Sequence, residues 1–321
     1  MGAQAYNIIT SFPDFTVESF DIETYNRQFK ESNIIIRADS RQVSYAEHWG
    51  PLSIKCAFNG KEFYDVQKCR YAVTDKNYLV INNGNYYSSF IDSDKKVQSF
   101  TINFAPAFVQ QAIGSLHKSN EGILDNFGNN DRASEPEFHE KLSRHDDTVS
   151  PIIFRLLPLA DNFQNNVNKV EELYTLLLER LLLKQQEIQP EIEAIDSVKS
   201  STKKELYKRL MRAKDYIDSC YSEELSLEYL AEVCCLNQFY LLRHFKSYFK
   251  ITPRQYIIKK RMEAASQLLV EAAPFSVAEI CVLVGYNDPS SFSKLFKQFY
   301  CHSPEEYARL NQGRTKRHGE N

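Results

Sequence analysis

Residues 276–300 read SVAEICVLVGYNDPSSFSKLFKQFY, and this stretch decides the fold of the C-terminal part of the chain. Ser276 followed by Glu279 has the spacing of a capping box, in which the two side chains bond reciprocally to backbone N–H groups at a helix start. Gly285 is a residue for which a positive φ costs little, and Asp288-Pro289 is typical of the start of another helix. The stretch therefore predicts a helix, a tight turn and a second helix.

The same pattern occurs about fifty residues earlier in the chain. Residues 226–249 read SLEYLAEVCCLNQFYLLRHFKSYF, with Ser226 and Asn237 as N-cap residues on either side of a short turn. Phe245-Lys246 and Phe296-Lys297 are separated by 51 positions. An internal repeat predicts two copies of one helical unit, here joined by a continuous helix from Thr252 to about Glu271. That connector could hold the two second helices about one DNA turn (~34 Å) apart.

The second helix of each copy has an aromatic face and an opposite polar face. The aromatic faces carry Leu241, Phe245, Tyr248 and Phe249 in one copy and Phe292, Phe296, Phe299 and Tyr300 in the other. The polar faces carry basic and small residues, which suits the major groove, where Arg and Lys donate to guanine. Lys246 and Lys297 are the expected phosphate or groove-edge contacts. The helix N-termini at Asn237, Ser276 and Asp288 are expected to offer backbone N–H groups to phosphates.

Taken together, residues from about Lys203 to Leu310 resemble the DNA-binding domain of the AraC/XylS family of bacterial regulators. The resemblance is specific in Thr252-Pro253, Arg261, Gly285-Tyr286 and Ser303-Pro304. It implies two helix-turn-helix units in successive major grooves. Carried over by position, it implies these base-facing residues: Gln238, Phe239, Leu242, Arg243, Ser290, Ser293 and Lys294. Lys250 and Cys301 depart from the family pattern, because glycine commonly stands there, and Cys281 replaces a common alanine.

The N-terminal part has a different pattern. Short runs rich in β-branched and aromatic residues lie between turn signals such as Asn59-Gly60 and the segment 82–85, and they predict a β-barrel or sandwich. These runs are Asn33–Arg37, Leu52–Phe58, Tyr78–Asn82 and Val97–Phe104. The region resembles the cupin-like domain of the same family. Its two later predicted helices, about 150–162 and 169–187, resemble dimerisation helices, although the stripe of Leu173, Leu176, Leu177 and Leu181 could equally pack on its own barrel.

The predicted architecture therefore has two domains, an N-terminal cupin-like β-barrel with helices and an all-α C-terminal double helix-turn-helix. The expected boundaries are 1–184 for a sensor and dimerisation domain, 185–202 for a polar linker, 203–310 for the DNA-binding domain and 311–321 for a polar tail. From Ser200 onwards there are 19 Lys and Arg against 14 Asp and Glu, whereas the rest has 20 against 28. This asymmetry suggests that only the C-terminal half meets a polyanion.

Several classes of protein are disfavoured by the sequence. No apolar run reaches the roughly 18–20 residues of a membrane span, and the N-terminus, with Gln4 and Asn7, does not look like a secretory signal. The seven cysteines include no CxxC pair, so we expect reduced thiols in a bacterial cytoplasm, with the protein at the nucleoid. The histidines are far apart, and we expect neither a metal nor a cofactor. His48 beside Trp49 could line a pocket or be an ordinary core or surface pair.

These patterns predict a sequence-specific DNA-binding transcriptional regulator, not an enzyme. Its partners would be double-stranded DNA and RNA polymerase, with a small-molecule effector or a protein partner acting at the N-terminal domain. A homodimer is left open, and the effector residues and the sign of regulation are not given by the sequence. The alternatives are a cupin-type enzyme or a DNA-repair alkyl-acceptor fused to the DNA-binding module, and an adaptor that uses the helical half for protein contacts.

Overall fold

The computed structural model describes residues 5–14, 20–119, 136–195, 200–270 and 275–315. The chain divides into two compact units, Met1–Lys208 and Arg209–Asn321. The first is rich in β-sheet and carries helices, and the second is helical, which confirms the predicted fold class.

Eight strands form the sheet of the first unit. They are β1 (Ala5–Ile9), β2 (Ser32–Trp49), β3 (Ser53–Phe58), β4 (Lys61–Val66), β5 (Cys69–Thr74), β6 (Asn77–Ile81), β7 (Tyr86–Asn103) and β8 (Leu142–Arg144). The four runs predicted as strands coincide with parts of β2, β3, β6 and β7, although three of them extend one residue beyond the strand, at Leu52, Asn82 and Phe104. The turn signals are confirmed as well, since Asn59 between β3 and β4 has φ 64° and Gly84 between β6 and β7 has φ 83°.

The long strands β2 and β7 organise this sheet. They pair antiparallel over most of their length, with register shifts between Ser40 and Gln42 and between Tyr45 and His48. On its other side β7 pairs with β4 through its first half and with β3 through its second half. Among the described residues, β1, β5 and β8 each pair with one other strand. These pairings therefore do not include the one that would close the sheet into a cupin-like barrel.

The first unit also contains helices, several of which share a buried core with the sheet. They are α1 (Ile22–Glu31), α2 (Pro106–Ser119), α3 (Ser150–Leu159), a 3₁₀ helix (Ala160–Asn165), α4 (Val167–Glu187) and α5 (Gln189–Glu193). Leu173, Leu177 and Leu181 of α4 are buried in the same core as the strands, and Leu176 packs against that core. The leucine stripe thus packs within its own unit, as in the second of the two alternatives above, because the sheet already covers it.

The helices of the second unit begin with α6 (Ser200–Cys220), within which the division between the units falls. They continue with α7 (Leu227–Val233), α8 (Gln238–Phe249), α9 (Pro253–Val270), α10 (Val277–Leu283), α11 (Pro289–Tyr300) and α12 (Pro304–Thr315). The connector α9 is continuous, as predicted, up to the last residue described before the gap.

The limits of the units differ from the sequence-based boundaries. Residues 185–202 were expected to be a linker, but they include the end of α4, the whole of α5 and the start of α6. The polar tail predicted from residue 311 is helical as far as Thr315, and residues 316–321 lie outside the described part. None of the helices in the described residues combines the length and apolar character that crossing a membrane requires.

Candidate nucleic-acid interface

The first helix-turn-helix unit is built from α7 and α8. Ser226 Oγ accepts from the Tyr229 N–H at 3.0 Å, and Asn237 Oδ1 accepts from the Tyr240 N–H at 2.8 Å. Each cap satisfies one of the backbone donors that a helix leaves unpaired in its first turn. Both helix starts are therefore where the sequence predicts them.

The second helix-turn-helix unit, built from α10 and α11, repeats this arrangement. Ser276 and Glu279 form the full capping box, with Glu279 Oε2 accepting from the Ser276 N–H at 2.7 Å. Asp288 accepts from the N–H groups of Ser290 and Ser291 at 3.1 and 2.9 Å. The predicted caps of α10 and α11 are confirmed.

The turns of the two helix-turn-helix units have matching backbone hydrogen bonds. The Leu236 N–H donates to the Ala231 carbonyl, and the Tyr286 N–H donates to the Cys281 carbonyl, both at 2.9 Å. The residues before the two donors have positive φ, with Cys235 at 52° and Gly285 at 87°. A Cβ at Gly285 would lie 2.3 Å from the Ser222 carbonyl oxygen, so only glycine fits there without a shift of the backbone. The repeat seen in the sequence is thus a repeat of turn geometry.

The buried faces of α8 and α11 are largely the predicted ones. Leu241 and Phe245 are buried in α8, as are Phe292 and Phe296 in α11. Phe299 is an exception, because its side chain is 45% exposed instead of lying on the buried face. It comes three residues after Phe296, and the core of this unit is filled there by Tyr300 and Tyr307, which pack on the Phe296 ring.

Most of the predicted base-facing residues point away from the core. In α8, Phe239 is 86% exposed, Leu242 and Arg243 are exposed, and Gln238 is half-buried. In α11, Ser290 and Lys294 are exposed and Ser293 is half-buried. Phe239 and Ser290 are at equivalent positions of the repeat, as are Arg243 and Lys294. Each helix therefore presents one small group of side chains on the face opposite the aromatic core.

The predicted phosphate contacts fall into two groups. The first group is Lys246 and Lys297, which are exposed at equivalent positions near the helix C-termini. The second group is the N-cap residues, among which Asn237 accepts a hydrogen bond from the Tyr240 N–H. At α11, however, Pro289 has no N–H, and the next two N–H groups donate to Asp288. The Ser291 hydroxyl, together with these two N–H groups, holds the pKa of Asp288 below its usual range, so the residue is anionic. The argument for a phosphate at this helix N-terminus therefore does not apply to Asp288, which acts as a cap.

At Ser276, too, a carboxylate lies at the helix N-terminus where a phosphate would bind, although it comes from another residue. Its hydroxyl oxygen accepts from the Glu279 N–H at 3.2 Å, and the Glu279 carboxylate bonds back to its backbone and hydroxyl. These bonds from Ser276 lower the pKa of Glu279, so a negative charge stands beside the start of α10. A phosphate at Ser276 would have to approach this carboxylate.

One arginine, for which the sequence analysis predicts no role, holds the second turn in place. Arg261 of α9 donates to the carbonyls of Tyr221, Gly285 and Glu223 at 2.7, 2.7 and 2.8 Å. Its guanidinium carbon also lies 5.1 Å from the centre of the Tyr286 ring. Arg209 of α6 acts similarly in the first helix-turn-helix unit, where it donates to the Cys235 carbonyl at 2.7 Å. Each turn is thus fixed by an arginine on the helix that precedes its unit.

A charged cluster ties α6 to α9 within the second unit. Asp218 accepts from Lys214 at 2.8 Å, from the Tyr256 hydroxyl at 2.9 Å and from Lys260 at 3.1 Å. Burial alone would raise the pKa of Asp218, but the nearby ammonium groups of Lys214 and Lys260 lower it below the usual value. The cluster is therefore charged at neutral pH and fixes the connector against α6.

The first unit of the chain, Met1–Lys208, contains a cavity of about 690 Å³, a volume that includes the space at its open mouth. His48 and Trp49 both line it, together with Tyr25, Phe29 and Tyr87. Burial lowers the pKa of His48, so its imidazole is neutral at physiological pH. Within the described ranges no group of three or more His, Cys, Asp or Glu side chains could hold a metal ion.

Comparison with known proteins identifies the helical region. A family model described as a helix-turn-helix domain matches residues 230–310, which span both turns and both second helices. The chain is 40% identical over 97 residues to the probable transcriptional regulator LumQ of Photobacterium leiognathi, covering 29% of this chain and 37% of LumQ. This chain carries a helix-turn-helix domain of the AraC family.

Two further similarities concern this AraC-type domain and the chain beyond it. The lactose operon transcription activator of Staphylococcus xylosus is 28% identical over 178 residues, which cover 55% of this chain and 60% of the activator. The C-terminal domain of AraT, a response regulator of Geobacillus stearothermophilus, is 34% identical with a TM-score of 0.31, and the match covers 32% of this chain and 84% of that domain. The chain spans less than two thirds of the length of LumQ and of the lactose operon activator.

Proposed function

We propose that the protein is a DNA-binding transcriptional regulator in which α8 and α11 enter the major groove and the N-terminal unit binds a small-molecule effector. The observation that carries this proposal is the repeated unit itself. Two capped helices with the same turn each bury an aromatic face and expose a short polar or basic face. A bundle that needed only solubility would have no reason to repeat both the turn and the exposed face.

The two helices differ in the chemistry that they offer to DNA. Arg243 can donate two hydrogen bonds to guanine, and Phe239 can contact a thymine methyl group. Ser290 and Ser293 make shorter and less selective contacts, and Lys294 donates as a point charge. We therefore infer that α8 contributes more of the sequence specificity and that α11 contributes more of the affinity for the backbone.

The remaining roles follow from the same proposal. Lys246 and Lys297 would contact phosphates at the groove edges, and RNA polymerase would be a further partner. Because the leucine stripe of α4 is used inside its own unit, a homodimer would need another surface. A regulator with these partners would work in the bacterial cytoplasm, at the nucleoid.

An enzymatic function has less support. Relatives such as LumQ are named as transcriptional regulators. An alkyl-acceptor reaction requires a thiolate, but burial raises the pKa of Cys234 to about 12 and also raises those of Cys56 and Cys281. These three thiols therefore suit the apolar interior and not a nucleophile.

The proposal is tested with a 30-bp duplex selected by the full-length protein from a random library. Arg243→Ala is expected to weaken binding to the selected duplex by about 1–3 kcal/mol and to relax the preference at one base position. Fluorescence anisotropy with single-base variants of the duplex measures both effects. Arg309→Ala, which removes an exposed arginine from α12, is the matched control. An equal loss on every duplex would assign Arg243 to a phosphate, and no loss at all would refute a groove-facing α8.

The salt dependence of binding tests the phosphate contacts. If Lys297 neutralises one phosphate, Lys297→Ala should reduce the slope of log affinity against log salt by roughly one. An unchanged slope rules that contact out. A wild-type protein with no salt-sensitive DNA binding would instead favour the adaptor that uses the helical unit for protein contacts.

A further inference from the structure

The cavity of the first unit has an unusual lining. Aromatic side chains form a large part of its wall, and those from α1, β2 and β4 include Tyr25, Phe29, Tyr45, Trp49 and Tyr64. Ligand pockets in proteins are typically apolar with a few well-placed polar groups. Here the polar groups include one lysine and one glutamate, both of which are almost completely buried.

Lys55, in the middle of β3, is the buried cation of this cavity. Lys55 is 3% exposed, and its Nζ donates to the Tyr87 hydroxyl at 2.8 Å. The ammonium also lies over the Tyr87 and Tyr64 rings, 4.6 and 5.6 Å from their centres. Among the described residues no carboxylate lies within 4.0 Å of it, although an ammonium has three hydrogens to donate. Burial accordingly lowers the pKa of Lys55 to about 7.

Glu62, on β4, lies in the same wall but does not neutralise Lys55 by direct contact. Its carboxyl group is engaged with the hydroxyls of Ser99 and Tyr64, which hold it to the sheet. Its Oε2 is buried and has no hydrogen-bond partner within the part of the chain that the structure describes. Burial raises the pKa of Glu62, which favours the neutral acid. The cavity therefore holds an ammonium with unused donors and a carboxyl group with an unused oxygen.

We propose that this cavity binds a small organic acid, whose anionic group accepts hydrogen bonds from Lys55 while its body packs on the aromatic wall. A buried ammonium is stabilised most by an anion that contacts it directly, and no side chain of the described wall provides that contact. Glu62 in its neutral form then donates from Oε2 to the same ligand, and the charges in the cavity balance. This inference rests on the proposed effector-binding role of the N-terminal unit and gives the effector a chemical class.

The test compares acids with neutral molecules of the same shape. Full-length protein is titrated by calorimetry with phenylacetate and phenylacetamide, hexanoate and hexanamide, and galacturonate and galactose. At least one acid should bind at pH 7, and its neutral partner should bind at least about tenfold more weakly. Lys55→Met should abolish that preference, whereas Lys61→Met, which removes an exposed lysine from β4, should preserve it. Binding of none of the acids, or equal binding of acid and neutral partner, would overturn the inference.

A second measurement needs no ligand. Because the Lys55 ammonium lacks a contacting anion, Lys55→Met should leave the Tm of the first unit unchanged or raise it, as measured by the fluorescence of Trp49. A lower Tm would show that Lys55 is a structural group and would contradict the proposal. DNA binding is measured on the same preparations. If DNA binding fails, the proposed function fails, and if only acid binding fails, the helical unit keeps its role.

Discussion

Arg261 provides the sharpest test of how the second unit is held together. Its guanidinium donates three hydrogen bonds to carbonyls of Tyr221, Glu223 and Gly285, which belong to segments far apart in sequence. Arg261→Met keeps much of the aliphatic stem and removes all three donors. Hydrogen bonds to a charged group contribute about 1.5–3 kcal/mol each. Water can replace the bond at the exposed Glu223, so we count only the other two, and the lower limit of this range then gives an expected loss of about 3 kcal/mol in total.

The chain allows the two units to be followed separately in one urea titration. The single tryptophan, Trp49, lies in the first unit, so its fluorescence reports the unfolding of that unit. Circular dichroism at 222 nm reports the helices of both units, so the part of its change that does not coincide with the Trp49 transition follows the second unit. With an m-value of about 2 kcal/mol/M, a loss of about 3 kcal/mol lowers the midpoint of the helical transition by about 1.5 M.

Two controls define the outcome. Lys259→Met removes an exposed lysine from the same helix and should change the free energy of unfolding by less than about 0.5 kcal/mol. Arg261→Lys keeps the charge but not the planar fork, and it should recover only part of the loss. The reasoning is refuted if Arg261→Met leaves the helical transition in place, or if the Trp49 transition shifts by the same amount.

Two further predictions concern the same unit. Cys301 ends α11 with φ 64°, a conformation in which a side chain costs roughly 1 kcal/mol, so Cys301→Gly should raise the free energy of unfolding by about 0.5–1 kcal/mol by circular dichroism. A decrease would mean that the thiol packs usefully. Because the pKa of Asp218 in the folded protein is lower than in the unfolded chain, its stabilising contribution is present above about pH 4 and is lost as the pH falls through the folded value. Asp218→Asn should therefore lower the stability at pH 7 and flatten its acid dependence, and parallel pH profiles for the two proteins would contradict this assignment.

The C-terminal architecture could be predicted from the sequence alone, because helix starts and tight turns are encoded locally. A cap and the N–H that it accepts from are two or three residues apart, so Ser226, Asn237, Ser276 and Asp288 could be found by reading along the chain. The aromatic faces of α8 and α11 followed from helical periodicity in the same way. Local spacing also indicated which side chains point away from the core, although their contacts with DNA stay a prediction.

Other features could not be predicted without the three-dimensional structure, chiefly because they depend on contacts between distant segments. Lys250 and Cys301 were noted as departures from a family glycine, and the structure shows both at φ 64°, in the left-handed conformation that ends α8 and α11. The three carbonyls bound by Arg261 lie 24 to 40 positions away along the chain, beyond the reach of any periodicity. In the N-terminal unit, strand alternation would leave Lys55 on a solvated face. It is buried because its side chain lies in the cavity wall, where the rings of Tyr64 and Tyr87 cover its ammonium.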